Sequence, residues 1–317
     1  MTLRLLAALA TLCAAVAQTP NPALLVLNKE GSLAIVDPSS GAVVGRVPTG
    51  EQPHEVVVST DGKLAVTSNY GGPDGRTLSV IDIDARKEIH RVDLTPLRRP
   101  HGLFAAGGKI YFTAEFNKVV GRYDPATNQV DWVMGTGQAG THMVQLDHDR
   151  LFTANIAGGS ISILEQTGQN WNQTVIETGK GPEGFDISPD GRELWAANSG
   201  DGTIAIIDVA ARKVKETVNV HTKRSNRLKF TPDGSTVLVS DLASGDLVVL
   251  DAATRKERKR INLGHDIAGI LVTPDSARAY VAATGDNNVA VIDLKTLTVT
   301  KRLDTGKGPD GMAWLQR

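Results

Sequence analysis

Sulfhydryl chemistry is nearly absent from this chain of 317 residues: Cys13 is its one cysteine. That residue sits in "MTLRLLAALATLCAAVAQTP", which has one basic residue, Arg4, an apolar run from Leu5 to Val16, and a small-x-small stop at Ala15-Val16-Ala17. These are the parts of a secretory signal peptide, with cleavage expected before Gln18. Bulky Leu12 before Cys13 argues against a lipid-anchored cysteine. Removal of residues 1–17 would leave a mature chain, residues 18–317, without cysteine, located in the periplasm or secreted. Such a chain forms no disulfide and does no thiol chemistry, so its stability must come from a large core. About 300 residues suffice for that.

Long apolar runs are missing too. No stretch approaches the ~20 residues of a membrane-spanning helix. Net charge is −1, which gives no bulk attraction to nucleic acid or to a membrane surface. No GxSxG elbow, P-loop or HExxH motif occurs. Aromatic residues make up only 4%, whereas glycine is plentiful at 32 residues. Glycine-rich, aromatic-poor chains rich in Val, Ile and Thr form turn-dense β-structure.

What is present is a repeat. "GFDISPDGRELWAANSGDGTIAIIDVAARKVKETVNV" (184–220) holds one unit: an apolar strand, a Ser-Pro-Asp-Gly turn, a second strand ending Ala-Asn, a third closing on Ile-Asp, and a polar fourth. Pro and Gly preset the dihedral angles of that turn. The third strand recurs as "LAIVD", "LSVID", "VGRYD", "ISILE", "IAIID", "LVVLD" and "VAVID". First strands open near 55, 102, 143, 184, 227, 269 and 311, a period of 41–43 with one 47-residue step explained by the insertion "YGGPDGR" and by "TPLRR". Four short strands repeated seven times predict an all-β, single-domain, seven-bladed β-propeller with four antiparallel strands per blade. The chain opens on a second strand, "ALLVLN", and ends on a lone first strand, "GMAWLQ". Pairing the two would close the ring.

Strand ends such as "VTSN", "FTAE", "FTAN", "WAAN" and "VAAT", with "SPDG" before and "VID" after, resemble the YVTN-family propeller repeat over residues 20–317. That resemblance implies architecture more than activity, because propellers host binding proteins, electron-transfer partners, lactonases, lyases and metal enzymes.

The repeat also places residues. The position just before each first-strand opening should line the mouth of the central channel, and it holds His54, His101, His142, Glu183, Asn226, Ala268 and Asp310. Second strands should end on the same face at Asn69, Glu115, Asn155, Asn198, Asp241, Thr284 and Asn28. Three of seven histidines thus fall on adjacent blades of one ring. Neutral imidazoles suit Zn, Cu, Fe or Ni, so His54, His101 and His142 form a candidate metal or ligand site. Glu183 or Glu115 would serve as proton carrier if the protein is a hydrolase, lactonase or lyase. Polar rings are also ordinary at a wet propeller mouth, and Asn or Asp at strand ends has turn-forming reasons of its own.

"HTKRSNRLK" (221–229) puts Lys223, Arg224 and Arg227 near the mouth, with Arg227 where most repeats have glycine. That makes Arg227 a candidate clamp for a ligand carboxylate or phosphate, with Asn226 and Asp310 nearby. The patch lacks the aromatics that stack nucleic-acid bases, so a small molecule or a protein is the expected partner of a monomeric chain. An interaction scaffold without a site is the third alternative.

Overall fold

The protein's structure, a computed structural model, describes residues 18–72 and 75–317; the expected signal segment lies outside the described residues, as do Pro73 and Asp74 of the insertion. Among the described residues, twenty-eight strands form seven four-stranded antiparallel sheets around one axis. We number the blades by their inner strands: Pro53–Val58, Pro100–Ala106, Thr141–Asp147, Pro182–Ile187, Ser225–Phe230, Ile267–Val272 and Pro309–Leu315 for blades 1 to 7. Blade 7 is built from both chain ends. Its inner strand Pro309–Leu315 pairs with Ala23–Asn28 in the register Ala23↔Leu315, Leu25↔Ala313 and Asn28↔Pro309. The expected ring closure is therefore present.

Two turn chemistries repeat around the ring. On the far face, Gly191 N–H donates to Ser188 O at 2.8 Å, and Ser188 Oγ donates to the Asp190 carboxylate at 2.7 Å. Gly191 has φ +70°, the conformation its missing Cβ permits. At the outer hairpins, Asp37, Asp82, Asp124, Asp208, Asp251 and Asp293 each accept a backbone N–H two or three residues on, at 2.7–2.9 Å. Blade 3 departs from this pattern, carrying Glu165 in place of the aspartate.

Each middle strand packs between two neighbouring sheets, so alternate residues serve different cores. Leu25 and Leu27 pack toward blade 1, whereas Leu24 and Val26 pack toward blade 6. Leu194 and Ala196 face blade 3, and Trp195 and Ala197 face blade 5. Each of the seven blade-to-blade gaps has one apolar cluster, and the gap between blades 2 and 3 has the smallest, with Val120, Val144, Leu151 and Leu164 fully buried. No helix among the described residues is long and apolar enough to cross a membrane.

At the axis the inner strands crowd one another. All seven shift register within their first three or four residues, a β-bulge that turns the intervening side chains toward the channel. Glycine follows the mouth position in four blades. A Cβ on Gly102 would stand 2.7 Å from His142 O, on Gly184 2.6 Å from Arg227 Cα, on Gly269 2.0 Å from Asp310 O, and on Gly311 2.2 Å from His54 O. Glycine here permits the close approach of one blade's backbone to the next. Gly311→Ala should therefore lower stability by about 1–3 kcal/mol through overpacking. Gly135→Ala, where a Cβ would meet nothing within 4 Å, should leave the thermal midpoint near wild type. Paired thermal melts of the two variants check this.

Candidate functional site

The bulges of blades 1, 2 and 3 aim three imidazoles into one stack. The His101 and His142 rings lie 3.7 Å apart between centroids with planes 32° apart, and His54 and His101 lie 5.0 Å apart. Tyr70 closes the outer end, 4.6 Å from the His54 ring and edge-on to His101 at 5.5 Å. The stack is held from behind by two hydroxyls. Ser68 Oγ donates to His101 O at 2.7 Å and accepts Glu55 N–H at 3.1 Å. Thr113 Oγ1 does the same for His142 O and Gly102 N–H, at 2.7 and 2.9 Å. The His101 and His142 carbonyls are thus each tied to the preceding blade, and the Glu55 and Gly102 N–H groups that leave the ladder find a hydroxyl acceptor.

The side-chain nitrogens are different. His101 is 3% exposed and His142 7%, yet among the described residues His101 Nδ1 and both nitrogens of His142 have no hydrogen-bond partner. Asp310 Oδ1, on a side chain also buried, is in the same state, while its Oδ2 pairs with Lys29 Nζ at 3.2 Å. Buried polar atoms without partners are costly, and they concentrate at ligand and catalytic sites. Desolvation, followed by the charges of His142, His54, Arg227 and Lys29, holds His101 well below the ordinary imidazole value. Burial lowers His54 as well, against the opposing charge of Asp310. The centre of the stack is thus neutral imidazole at neutral pH.

Glu115 stands beside it on a one-turn helix, Glu115–Asn117. It accepts Tyr70 OH at 2.8 Å, and Tyr70 OH accepts Arg99 Nη1 at 3.3 Å. His142 Nδ1 is 3.9 Å from Glu115 Oε2, beyond ordinary hydrogen-bond distance. Burial pushes the Glu115 carboxyl up, but His142, Tyr70 and Arg99 outweigh it and hold the carboxyl below its ordinary value. A general base is best tuned toward the working pH, and Glu115 is driven the other way. Burial and the hydrogen bond to Glu115 push the Tyr70 phenol up to about 12.

The sequence-predicted residues divide into three groups. His54, His101, His142 and Glu115 come together as expected. Glu183 and Asn226 are buried and bonded to each other, the Asn226 amide donating to the Glu183 carboxylate. Arg227 departs from expectation. Its guanidinium is 5% exposed and is spent on Glu55, whose carboxylate reaches across the axis from blade 1. No carboxylate from outside is needed, because the chain supplies one. Glu55, Asp310 and Glu183 keep Arg227 charged against a large desolvation cost. The pair lines a space of about 210 Å³ together with Leu103, Phe104, Met143, Phe185, Ile270 and Met312 among others.

The metal expectation has no geometric support: among the described residues no group of three His, Cys, Asp or Glu side chains is arranged to hold an ion. Metal ligation needs in-plane nitrogen lone pairs converging on a point about 2 Å from each ring. His101 and His142 instead share their faces. Glu115 apart, the second-strand end residues bond within the scaffold; Asn69, for example, donates to Thr77 Oγ1 and Ser79 Oγ at 3.0 and 2.9 Å. His221 and His265 are exposed, the latter bonded to Asp286 at 2.8 Å, and neither joins the stack. Sequence reasoning missed Glu55, Tyr70, Arg99 and Lys29. Glu55 was findable, since Glu55 and Arg227 are opposite charges in a column otherwise held by glycine or Met143.

Two outcomes follow. Arg227→Met leaves Glu55 partly buried and unpaired and should cost up to about 3–5 kcal/mol, whereas Glu55→Gln with Arg227→Met should recover most of that loss; denaturant unfolding of both measures it. The second concerns pH. Unfolded His101 takes up a proton near its ordinary value of 6.5, while the folded side chain resists until lower pH. Stability should be insensitive to this group above that value and fall as pH drops below it. The slope is up to about 1.4 kcal/mol per pH unit, levelling off below the folded value. His101→Phe should flatten that part of the curve of thermal midpoint against pH.

Comparison with known proteins agrees with the architecture. Residues 29–186, a little under half of the chain, match the family described as outer membrane protein assembly factor BamB. No curated protein matches. Among solved structures, Kuenenia stuttgartiensis hydrazine synthase is similar at 19% identity and TM-score 0.71, over 82% of this chain and 89% of that one. A candidate 6-phosphogluconolactonase from Bacteroides uniformis is similar at 13% identity and TM-score 0.77, over 93% and 99%. A functionally unknown protein from Desulfotomaculum acetoxidans is similar at 11% identity and TM-score 0.78, over 94% and 99%. At these identities the likeness is one of fold: the chain is a seven-bladed β-propeller.

Proposed function

We propose that this protein is an exported propeller of the YVTN-repeat type that binds a small, uncharged polar molecule, or a polar side chain of a partner, on the histidine stack at its channel mouth. One observation carries the reading. Three adjacent bulges bring His54, His101 and His142 together, and the buried nitrogens of His101 and His142 have no partner among the described residues. Neutral imidazole both donates and accepts, which suits amide or hydroxyl groups. The charged groups around it are already matched, Lys29 with Asp310 and Glu55 with Arg227. A charged ligand would therefore find no uncompensated partner there.

The test uses protein labelled with ¹⁵N in histidine, titrated with a panel of small amides and hydroxylated molecules and, separately, with Zn²⁺. The expected result is a saturable shift of the His101 and His142 ring resonances with a member of the organic panel, lost in His101→Phe. Stoichiometric Zn²⁺ uptake that broadens the same signals would replace this reading with the metal one. No response to any probe would leave the stack a structural feature of the mouth.

A further inference from the structure

On the face opposite the histidines, two departures from the repeat meet in one pocket. In the third strands, the residue two before the closing acid is aliphatic in blades 1, 4, 5 and 6 (Val80, Ile206, Val249 and Val291), but in blade 2 it is Arg122. Arg122 lies in a register row that crosses the whole sheet, Phe104↔Tyr111↔Arg122↔Trp132. The second departure is Glu165. Without the aspartate turn, the outer hairpin of blade 3 runs on. Its strands Ser160–Thr167 and Asn170–Glu177 are eight residues each, and Gln166 is paired with Trp171 beyond the point where other blades turn.

The extended hairpin stands over the row on blade 2. Between them lies a pocket of about 400 Å³ lined by Tyr111, Arg122, Trp132, Asp149, Gln166 and Trp171 among others. This is within the usual size range of a small-molecule site. The gap it opens onto is the one with the smallest buried core. In a chain with four tryptophans, two converge here, 5.1 Å apart and tilted by 42°. Their indole N–H groups separate them from the other two. Trp195 donates to Glu193 at 2.9 Å and Trp314 to Gln316 at 3.3 Å, whereas Trp132 and Trp171 have no acceptor among the described residues. Arg122 is held in place by Asp131, Nε to Oδ1 at 2.7 Å.

From this geometry we infer that the pocket binds a pyranose ring, either a free sugar or a unit of a glycan. Tilted indole faces cannot sandwich a flat ring, but they fit the C–H-bearing faces of a puckered one. The free indole N–H groups, the Gln166 amide and the Asp149 carboxylate offer the donors and acceptors that hydroxyls need. Such sites combine aromatic faces with a few placed polar groups. This inference is independent of the histidine site, which lies at the other end of the same inner strands.

The test is ¹⁵N-labelled protein titrated with methyl glucoside, methyl galactoside, N-acetylglucosamine and their disaccharides, read at the tryptophan indole resonances. The expected result is that one pyranose shifts the Trp132 and Trp171 signals saturably and leaves Trp195 and Trp314 unmoved. Affinity for a monosaccharide should be millimolar, given its small number of atoms, and should weaken roughly tenfold in Trp171→Ala. Gln166→Ala, at an exposed hairpin position, serves if removal of the indole disturbs folding, and it should weaken binding several-fold. Shifts with a disaccharide alone would identify a glycan as the source. The inference is overturned if no saccharide moves these two signals, or if binding is unchanged in both variants.

Discussion

The close approach of seven inner strands around one axis is the constraint on which the rest of this structure depends. Where a strand bulges against its neighbour's carbonyl there is no room for a Cβ, and Gly102, Gly184, Gly269 and Gly311 meet that demand. Where the sequence declines glycine, something else must happen at the axis. Glu55 and Arg227, the two charged exceptions, meet across it. Because a buried guanidinium and a partly buried carboxylate each need the other, the two form a matched pair contributed by blades that are not neighbours in the ring.

The same bulges explain the mouth. They free one side chain per blade from ladder pairing and point it inward, while Ser68 and Thr113 satisfy the main-chain groups that the bulge exposes. The fold supplies the position and leaves the choice of residue open. In blades 1 to 3 that choice is histidine, and desolvation together with the neighbouring charges keeps the central ring neutral.

The two candidate sites lie where the repeat is broken, both in the first blades. Histidine replaces the variable mouth residue of blades 1, 2 and 3, and Tyr70 comes from the insertion that lengthens one repeat. On the far face Arg122 and Glu165 break the pattern of blades 2 and 3 and open a tryptophan-lined pocket. A regular blade buries aliphatic residues against its neighbour and presents nothing to recognise. Irregular ones give up part of that core and acquire chemistry in return.

The amino-acid sequence by itself determined the number of blades, the strand order and the ring closure. Those rest on local turn chemistry and on a period of about 42 residues, both of which can be read along the chain. It also determined that His54, His101 and His142 share a mouth, because equivalent positions in a repeat are equivalent in space. Only the tertiary structure decided what those side chains meet. Arg227 reads as an open clamp until Glu55, 172 residues away in sequence, is found against it. Nor does the repeat reveal that the His101 and His142 rings lie 3.7 Å apart, face against face. The physical reason is the same in both cases: a repeat specifies where each backbone segment sits, but direction, distance and partner across the axis depend on several blades at once.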